Sequence, residues 1–329
     1  MSAIRLIAFV RSRPITSAVA VVFALIAFRS LPEGLSWTAR ASIALGFLIL
    51  ILLVAFYIVL LSNLRARARP LTSIKSTPST TELERNARHI VLREIGGTGQ
   101  NRLKEARVLV IGAGGLGSPA LQYLAAAGVG TIGVIDDDTV ENSNLQRQVI
   151  HTDDRIGMPK VFSAEAAMKA QNPFVTIRPY HRRLTRDIAA ELFADYDLIL
   201  DGTDDADTRY LVNETAVAAK LPLISAAITQ WEGQISLFDP SRGAPCYACV
   251  FPEKAAAGLA PSCAEGGVLG PLPGILGAMM AAEAIKHLTG AGETLMGRML
   301  IYDALDAETR TIRVKRNPEC ATCGQRFIN

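Results

Sequence analysis

The stretch that decides the fold is RVLVIGAGGLG, residues 107–117. Its apolar first half indicates a strand, and the glycines Gly112, Gly114, Gly115 and Gly117 follow it. A strand that turns sharply into a helix while its backbone passes close to a phosphate or ribose has no room for side chains there. The free N–H groups at the start of the helix then attract anions. The stretch therefore predicts a Rossmann-type nucleotide loop.

An acidic residue follows at the spacing expected of a nucleotide site. Asp136 lies 19 residues beyond Gly117, at the end of a second strand-like run, residues 131–135. That position suits an acceptor for a ribose hydroxyl. An NAD-dependent dehydrogenase would show the same loop and acid, so these residues indicate nucleotide binding without indicating the reaction.

Charged and amide residues accompany this fingerprint further along the chain. They are Asn144, Arg147, Lys160 and, just beyond an apolar run that ends at Asp201, Asp204. Ligands collect beyond the carboxyl ends of strands in open α/β sheets. An acid there facing Arg147 and Lys160 suits a magnesium-bound triphosphate, whereas hydride transfer has no use for that set. Alternatively, Asp204 caps the helix that follows it.

Residues 82–329 show the alternation of an α/β domain. Apolar runs at 108–112, 131–135, 175–179, 197–201 and 221–225 alternate with helix-compatible stretches at 115–127, 159–171, 186–194 and 207–219. This order predicts a Rossmann-like, largely parallel sheet. Runs at 234–238 and 299–302 flank a long apolar helix at about 274–288. We expect these two strands to extend the same sheet in mixed or antiparallel order.

The N-terminal segment carries the excess of a composition that is 50% hydrophobic. Residues 41–62 hold no charge and are long enough to span a bilayer, whereas the apolar stretch at 14–28 spans only if flanking arginines snorkel. We expect two transmembrane helices, at about 14–31 and 41–62, in a membrane anchor at 1–64 that precedes the α/β fold. One spanning helix with an interfacial or cleaved first segment is the alternative.

Arginines set the expected orientation of this anchor. Three arginines precede the first apolar stretch, namely Arg5, Arg11 and Arg13, and three follow the second, namely Arg65, Arg67 and Arg69. Only Arg29 and Arg40 lie between the two stretches. By the positive-inside rule, both termini are expected on the cytoplasmic side of the inner membrane. Residues 65–81 would be a cytoplasmic linker to a cytoplasmic catalytic domain. A net charge of only +3 gives no sign of a nucleic-acid partner.

Four of the five cysteines form two CxxC pairs, Cys246 with Cys249 and Cys320 with Cys323. Two such knuckles can close a tetrahedral four-thiolate zinc site, which would be structural because no position is left for water. A redox CxxC or incidental cysteines are the alternatives. Structural disulfides are disfavoured in a cytoplasmic domain.

The fifth cysteine, Cys263, lies in a glycine-rich loop between the first knuckle and the apolar helix. It is either a thiol nucleophile or an ordinary small residue. No histidine lies beside it in the sequence to lower the pKa of its thiol.

Taken together and in order, the motifs resemble the HesA/MoeB/ThiF family of ubiquitin-activating-like adenylyltransferases over residues 82–324. They are RHIVLR at 88–93, GAGGLG at 112–117, DDDTV at 136–140, NLQRQ at 144–148, GMPK at 157–160, DGTD at 201–204, EGQ at 232–234 and the two CxxC pairs. The resemblance implies a ThiF/MoeB-like domain at 82–329. The membrane anchor departs from the soluble members.

The resemblance also implies roles for single residues. ATP would lie on Gly112, Gly114, Gly115, Gly117, Asp136, Asp138, Asn144, Arg147, Gln148, Lys160 and Asp204, with Mg²⁺ on the last of these. Arg88 matches the family arginine that reaches the phosphates from the partner subunit, which implies a homodimer. Cys263 matches a loop cysteine that links covalently to the carrier protein in some members.

The implied reaction is attack by a protein carboxylate on the α-phosphate of ATP. The nucleophile would be the C-terminal Gly-Gly carboxylate of a small ubiquitin-like or sulfur-carrier protein, as in molybdopterin or thiamine sulfur transfer. The products are an acyl-adenylate and pyrophosphate. Three alternatives stay open: activation of a non-protein carboxylate, as by the family's tRNA threonylcarbamoyladenosine dehydratase; an NAD-dependent oxidoreductase; and a membrane-tethered binding module without turnover.

Overall fold

The computed structural model describes residues 36–39, 41–43, 45–46, 49–50, 53–54, 57, 79–254 and 266–324. The chain divides into two compact units, Met1–Thr77 and Pro78–Asn329. In the first unit the described residues from 37 onward are helical. The finer boundaries expected at 64 and 81 stay predictions.

The expected membrane anchor is not supported. Within the described ranges no helix combines the length and the apolar character that a bilayer crossing requires. The span expected at 14–31 lies outside the described residues, as does much of that at 41–62. A charge-free run supplies apolar surface but does not by itself fix a helix of about 20 residues. The two transmembrane helices, and the inner-membrane location inferred from them, were wrong predictions for the part of the chain that the structure describes.

The second unit opens with two helices, α1 (Thr80–Ile90) and α2 (Gly96–Glu105). The described strands are β1 (Arg107–Ile111), β2 (Thr131–Asp136), β3 (Thr176–His181), β4 (Leu198–Asp201), β5 (Leu223–Ile228), β6 (Glu232–Phe238), β7 (Arg298–Asp303) and β8 (Glu308–Arg313). The remaining described α-helices are α3 (Gly117–Ala126), α4 (Lys160–Gln171), α5 (Arg186–Phe193), α6 (Ala206–Ala219), α7 (Tyr247–Val250) and α8 (Pro271–Thr289).

The eight strands of the described residues form one mixed sheet in the order β3-β2-β1-β4-β5-β6-β7-β8. Strands β1 to β5 pair in parallel and β5 to β8 pair antiparallel. The prediction of an α/β Rossmann-like sheet extended by antiparallel strands is therefore confirmed. Strand β8 was missed because all of its residues are exposed, so that its sequence lacks an apolar run.

Strand β1 shows why the parallel half forms. Its last four residues are buried, and their side chains alternate between two cores. Val108 and Val110 pack in one hydrophobic cluster, whereas Leu109 and Ile111 pack in the other. Parallel strands covered on both faces require this continuous apolar sequence.

The strand order reverses at β1, because the chain runs outward to β2 and β3 and then returns to β4 on the other side. Ligands of open α/β sheets bind at the carboxyl ends of the strands at such a switch point. The loops after β1, β2 and β4 are therefore the place to look for a site.

Candidate functional site

The loop after β1 has two glycines that the protein itself requires. A Cβ on Gly117 would lie 1.9 Å from the carbonyl oxygen of Gly112. Gly112 has a φ of +91°, and its Cβ would lie 3.3 Å from the carbonyl oxygen of Gly202, in the loop after β4. These glycines let the first turn of α3 approach β1 and β4 closely.

Gly114 differs from these two because packing does not explain it. A Cβ there would meet only the Gln148 amide nitrogen, at 3.7 Å, which is an ordinary contact. Space for a side chain is thus left open at the loop position where a nucleotide would approach the backbone.

Asp136, at the end of β2, ties down this loop. One carboxylate oxygen accepts the Ala113 N–H at 2.7 Å, and the other accepts the Asp138 N–H at 2.8 Å. Burial raises the pKa of Asp136, although both N–H donors and the Lys160 cation act in the opposite direction. Each oxygen keeps a lone pair, so the carboxylate can still accept a ribose hydroxyl.

The segment 144–148 is organised around the Asn144 side chain. Its oxygen accepts from the Arg147 guanidinium at 3.1 Å and from the Gln148 amide at 3.0 Å, and its amide donates to Glu141 at 3.2 Å. Arg147 also donates to the Ser143 carbonyl oxygen at 3.1 Å. These bonds use two of the five N–H donors of a guanidinium, so three are left for an anion.

Lys160, the first residue of α4, is a buried cation whose side chain is only 6% exposed. Its ammonium lies 2.7 Å from a carboxylate oxygen of Asp138, whose side chain is 66% exposed. Both residues belong to the nucleotide set expected from the sequence. A phosphate that reaches Lys160 would replace the exposed Asp138 carboxylate as the partner of the Lys160 ammonium.

Asp204 follows β4 in the loop beside Gly112 and is exposed. It does not cap α6, because the N-cap is Asp205, whose side chain accepts the Thr208 N–H at 2.9 Å. The capping alternative for Asp204 is thus excluded. Among the described residues no hydrogen bond or ion pair engages Asp204, so its carboxylate is available to a ligand.

A buried ion pair that the sequence analysis missed holds the Asp204 loop. Asp201 is fully buried, accepts from Ser225 at 2.9 Å and from the Thr203 N–H at 3.0 Å, and lies 3.6 Å from the Arg209 guanidinium. Arg209 in turn donates to the Thr203 carbonyl oxygen. An acid at the end of a buried strand needs a partner, which could have directed the search to the arginine on the next helix.

Two further residues were expected at this site. Arg88 is exposed on α1, and no hydrogen bond or ion pair joins it to any residue that the structure describes. Cys263 lies outside the described residues, so its expected role stays a prediction.

The four CxxC cysteines come together as a cluster. Sγ–Sγ distances are 3.8 Å for Cys246 and Cys249, 3.7 Å for Cys246 and Cys320, and 3.4 Å for Cys249 and Cys323. A tetrahedral zinc ion with Zn–S bonds of about 2.3 Å separates its sulfurs by about 3.8 Å. The cluster is therefore compatible with zinc, and all four cysteines are free of disulfides.

Metal analysis of the purified protein tests this cluster. We expect about one zinc ion per chain, because four thiolates saturate a structural site. Cys246→Ser and Cys320→Ser should each lose the metal and lower the thermal midpoint. Each removes a ligand that connects the first CxxC pair to the C-terminal CxxC pair. An unchanged zinc content in both variants would contradict the assignment, and Ser241→Ala, outside the cluster, is the control.

Comparison with known proteins identifies the family. The model of the family described as ThiF family matches residues 86–322. The chain belongs to the ThiF family. The family-level resemblance drawn from the motifs is thereby confirmed.

This ThiF-family chain covers about nine-tenths of the length of two relatives. It is 49% identical to the sulfur carrier protein adenylyltransferase of Thermus thermophilus, with 74% of this chain and 91% of that protein covered. It is 47% identical to the SAMP-activating enzyme E1 of Haloferax volcanii, with 74% of this chain and 90% of that protein covered. A crystal structure of E. coli MccB with ATP matches with a TM-score of 0.62 at 23% identity, over 69% of this chain and 70% of that one, which shows a common fold.

Proposed function

We propose that this protein adenylates the C-terminal carboxylate of a small sulfur-carrier protein with ATP, releasing pyrophosphate. The observation that carries the proposal is its 49% identity to a sulfur carrier protein adenylyltransferase over 91% of the length of that enzyme. The two relatives are named as an adenylyltransferase and as an activating enzyme, so the NAD-dependent oxidoreductase alternative has no support. We further infer that the carrier ends in Gly-Gly, as the resemblance to the HesA/MoeB/ThiF family implies.

The site supports this chemistry through charge and alignment. A carboxylate nucleophile is already ionised at neutral pH, so the reaction needs no general base. Negative charge develops on the departing pyrophosphate, and cations that are held in place before the reaction stabilise it. We assign that role to Lys160 and Arg147, since Lys160 is buried and Arg147 is held by Asn144 and the Ser143 carbonyl.

We assign nucleotide contacts to the loop and its neighbours. Gly114 leaves space beside the backbone, and Asp136 keeps acceptor capacity at the end of β2. Asp138 would release Lys160 when the triphosphate binds. Gln148 is 4% exposed and holds Asn144, which supports a role in ordering the phosphate-binding segment.

Asp204 fits a magnesium ion. Magnesium is bound by hard oxygen ligands and is often held by one or two carboxylates together with substrate phosphates. Asp204 offers such a carboxylate, exposed and unengaged among the described residues, next to the nucleotide loop. When bound, the ion would neutralise phosphate charge.

We also propose a homodimer in which Arg88 contributes to the partner's site. The exposed position of Arg88 on α1, without an ion pair to any described residue, leaves its charge free for this contact. Arg88→Ala would then lower exchange activity, and mixing it with the Arg147→Ala variant would partly restore activity through hybrid dimers.

Carrier-dependent ATP–pyrophosphate exchange tests the proposed function. We expect exchange only when a small carrier protein ending in Gly-Gly is present, because its carboxylate is the nucleophile. A carrier that lacks its last glycine is the matched control and should give background exchange. Exchange that is equally fast without any carrier would contradict a protein substrate.

A further inference from the structure

His151 is a buried histidine for which the proposed chemistry has no use. It is 5% exposed, and both ring nitrogens are engaged. Nε2 lies 2.9 Å from the carbonyl oxygen of Ala113, in the nucleotide loop, and Nδ1 lies 2.9 Å from the hydroxyl of Ser163, on α4. One ring therefore joins the loop to the helix that begins at Lys160.

These two partners fix the state of the ring. A carbonyl oxygen can only accept, so Nε2 carries a hydrogen, and in the neutral ring Nδ1 then accepts from the Ser163 hydroxyl. Burial lowers the pKa of His151, and the cations of Lys160 and Arg155 add to that effect against the Ala113 bond. A neutral ring with a single tautomer gives the bond to Ala113 a fixed direction.

Ala113 is held on both sides as a result. Its N–H donates to Asp136 at 2.7 Å, and its carbonyl oxygen accepts from His151, with a longer bond of 3.4 Å from the Ser118 hydroxyl. The Ala113 side chain is fully buried. The backbone of Ala113 is thus held at both its N–H and its carbonyl oxygen.

The consequence for Gly114 follows from peptide geometry. A peptide unit is planar, and in the trans form its carbonyl oxygen and the next N–H point in opposite directions. No cis peptide is present in the described chain. Because the Ala113 carbonyl faces His151, the Gly114 N–H faces the other way, and no group among the described residues accepts it. A donor left open in the loop just before α3, which begins at Gly117, is suited to a phosphate oxygen.

We propose that His151 is a positioning residue of the nucleotide site: it orients the Ala113–Gly114 peptide so that the Gly114 N–H meets a nucleotide phosphate. Through Ser163 it also sets the distance between the loop and the helix that carries Lys160. The inference rests on the proposed use of ATP and assigns a function to a residue outside the ligand-contacting set.

Two substitutions of His151 separate positioning from packing. His151→Phe keeps the bulk of the ring but has no donor, so the KM for ATP should rise about 10- to 100-fold, as expected when a site is misplaced by a fraction of an ångström to an ångström. His151→Gln places an amide donor near the Nε2 position and should recover most of this loss. The KM for the carrier should stay within about twofold in both variants, because its tail does not depend on the Gly114 N–H.

Asn172→Ala is the matched control for lost stability. Asn172 caps the other end of α4, is 1% exposed, and donates to the Ala125 carbonyl oxygen at 2.7 Å. This variant should lower the thermal midpoint about as much as His151→Phe while leaving the KM for ATP unchanged. An equal rise of the KM for ATP in Asn172→Ala and His151→Phe would overturn the proposal, as would a wild-type KM in His151→Phe.

Ser163→Ala is the alternative test variant if His151→Phe does not fold. It removes the acceptor bond of Nδ1 but keeps the ring, and a smaller rise of the KM for ATP is expected, whereas no rise overturns the proposal. Calorimetric ATP binding distinguishes this inference from the proposed function. If wild type binds ATP without carrier-dependent exchange, and His151→Phe binds ATP more weakly, the proposed function fails and the positioning role stands.

Discussion

Alanine in place of Arg147 should lower carrier-dependent pyrophosphate exchange by about 10²- to 10³-fold, the usual effect of removing one oriented donor that stabilises developing charge. The guanidinium is already held by Asn144 and the Ser143 carbonyl in the absence of a ligand. Its loss therefore removes charge that is fixed before the reaction starts. The effect should be mainly on kcat, because the pyrophosphate charge develops in the transition state.

The control for Arg147 is an arginine at the opposite end of the sheet. Arg107 begins β1, at its amino end, and its half-exposed side chain pairs with Asp197 at 3.4 Å. Arg107→Ala should change exchange less than about twofold, since surface ion pairs contribute little. Exchange in Arg147→Ala at more than half of the wild-type rate, with the fold intact, would remove Arg147 from the site.

Replacing Asp201 with alanine should lower the free energy of unfolding by about 3–5 kcal/mol, the range seen when one partner of a buried ion pair is removed. The Asp201 side chain is fully buried and that of Arg209 is 9% exposed. The variant therefore leaves an uncompensated guanidinium in the interior. It also releases Thr203, which precedes Asp204, so exchange should fall as well.

Urea unfolding of Asp201→Ala measures this effect. The double variant Asp201→Leu/Arg209→Met removes both charges and should regain a large part of the stability, because a well-packed apolar pair can replace a buried ion pair. If Asp201→Ala is destabilised by less than about 1 kcal/mol, the ion pair does not hold the loop. If the double variant is less stable than the single one, the loss comes from packing and not from charge.

Local sequence was sufficient for those parts of the fold in which one segment determines its own environment. The apolar run of β1 is compatible only with a buried strand, and the glycines at 112 and 117 indicate a tight turn. Both features were therefore predictable. The two CxxC pairs were predictable for a similar reason, since four thiolates with this spacing favour one metal.

Other features depend on contacts between distant residues and could not be read in this way. The pairing of Lys160 with Asp138 requires β2 and the start of α4 to meet, and the partner of Asp201 lies on the following helix. Two adjacent acids precede α6, and only the backbone conformation decides that Asp205 caps the helix and leaves Asp204 free.

The N-terminal prediction failed for a different reason. Hydropathy measures the cost of exposing a segment to water, whereas a membrane span also requires an unbroken helix of about 20 residues. The described residues provide no such helix. The charge-free run and its flanking arginines therefore gave an anchor and a location that the described part of the chain does not support.

The bond of ATP that is cleaved distinguishes adenylation of the carrier from its phosphorylation. Protein, carrier and magnesium are mixed with ATP labelled at the α- or the γ-phosphate, and the products are separated. We expect wild type to form pyrophosphate together with AMP bound to the carrier as an acyl-adenylate, and Arg147→Ala to form about 10²-fold less or lower still. ADP and inorganic phosphate as the products, with no AMP on the carrier, would contradict it.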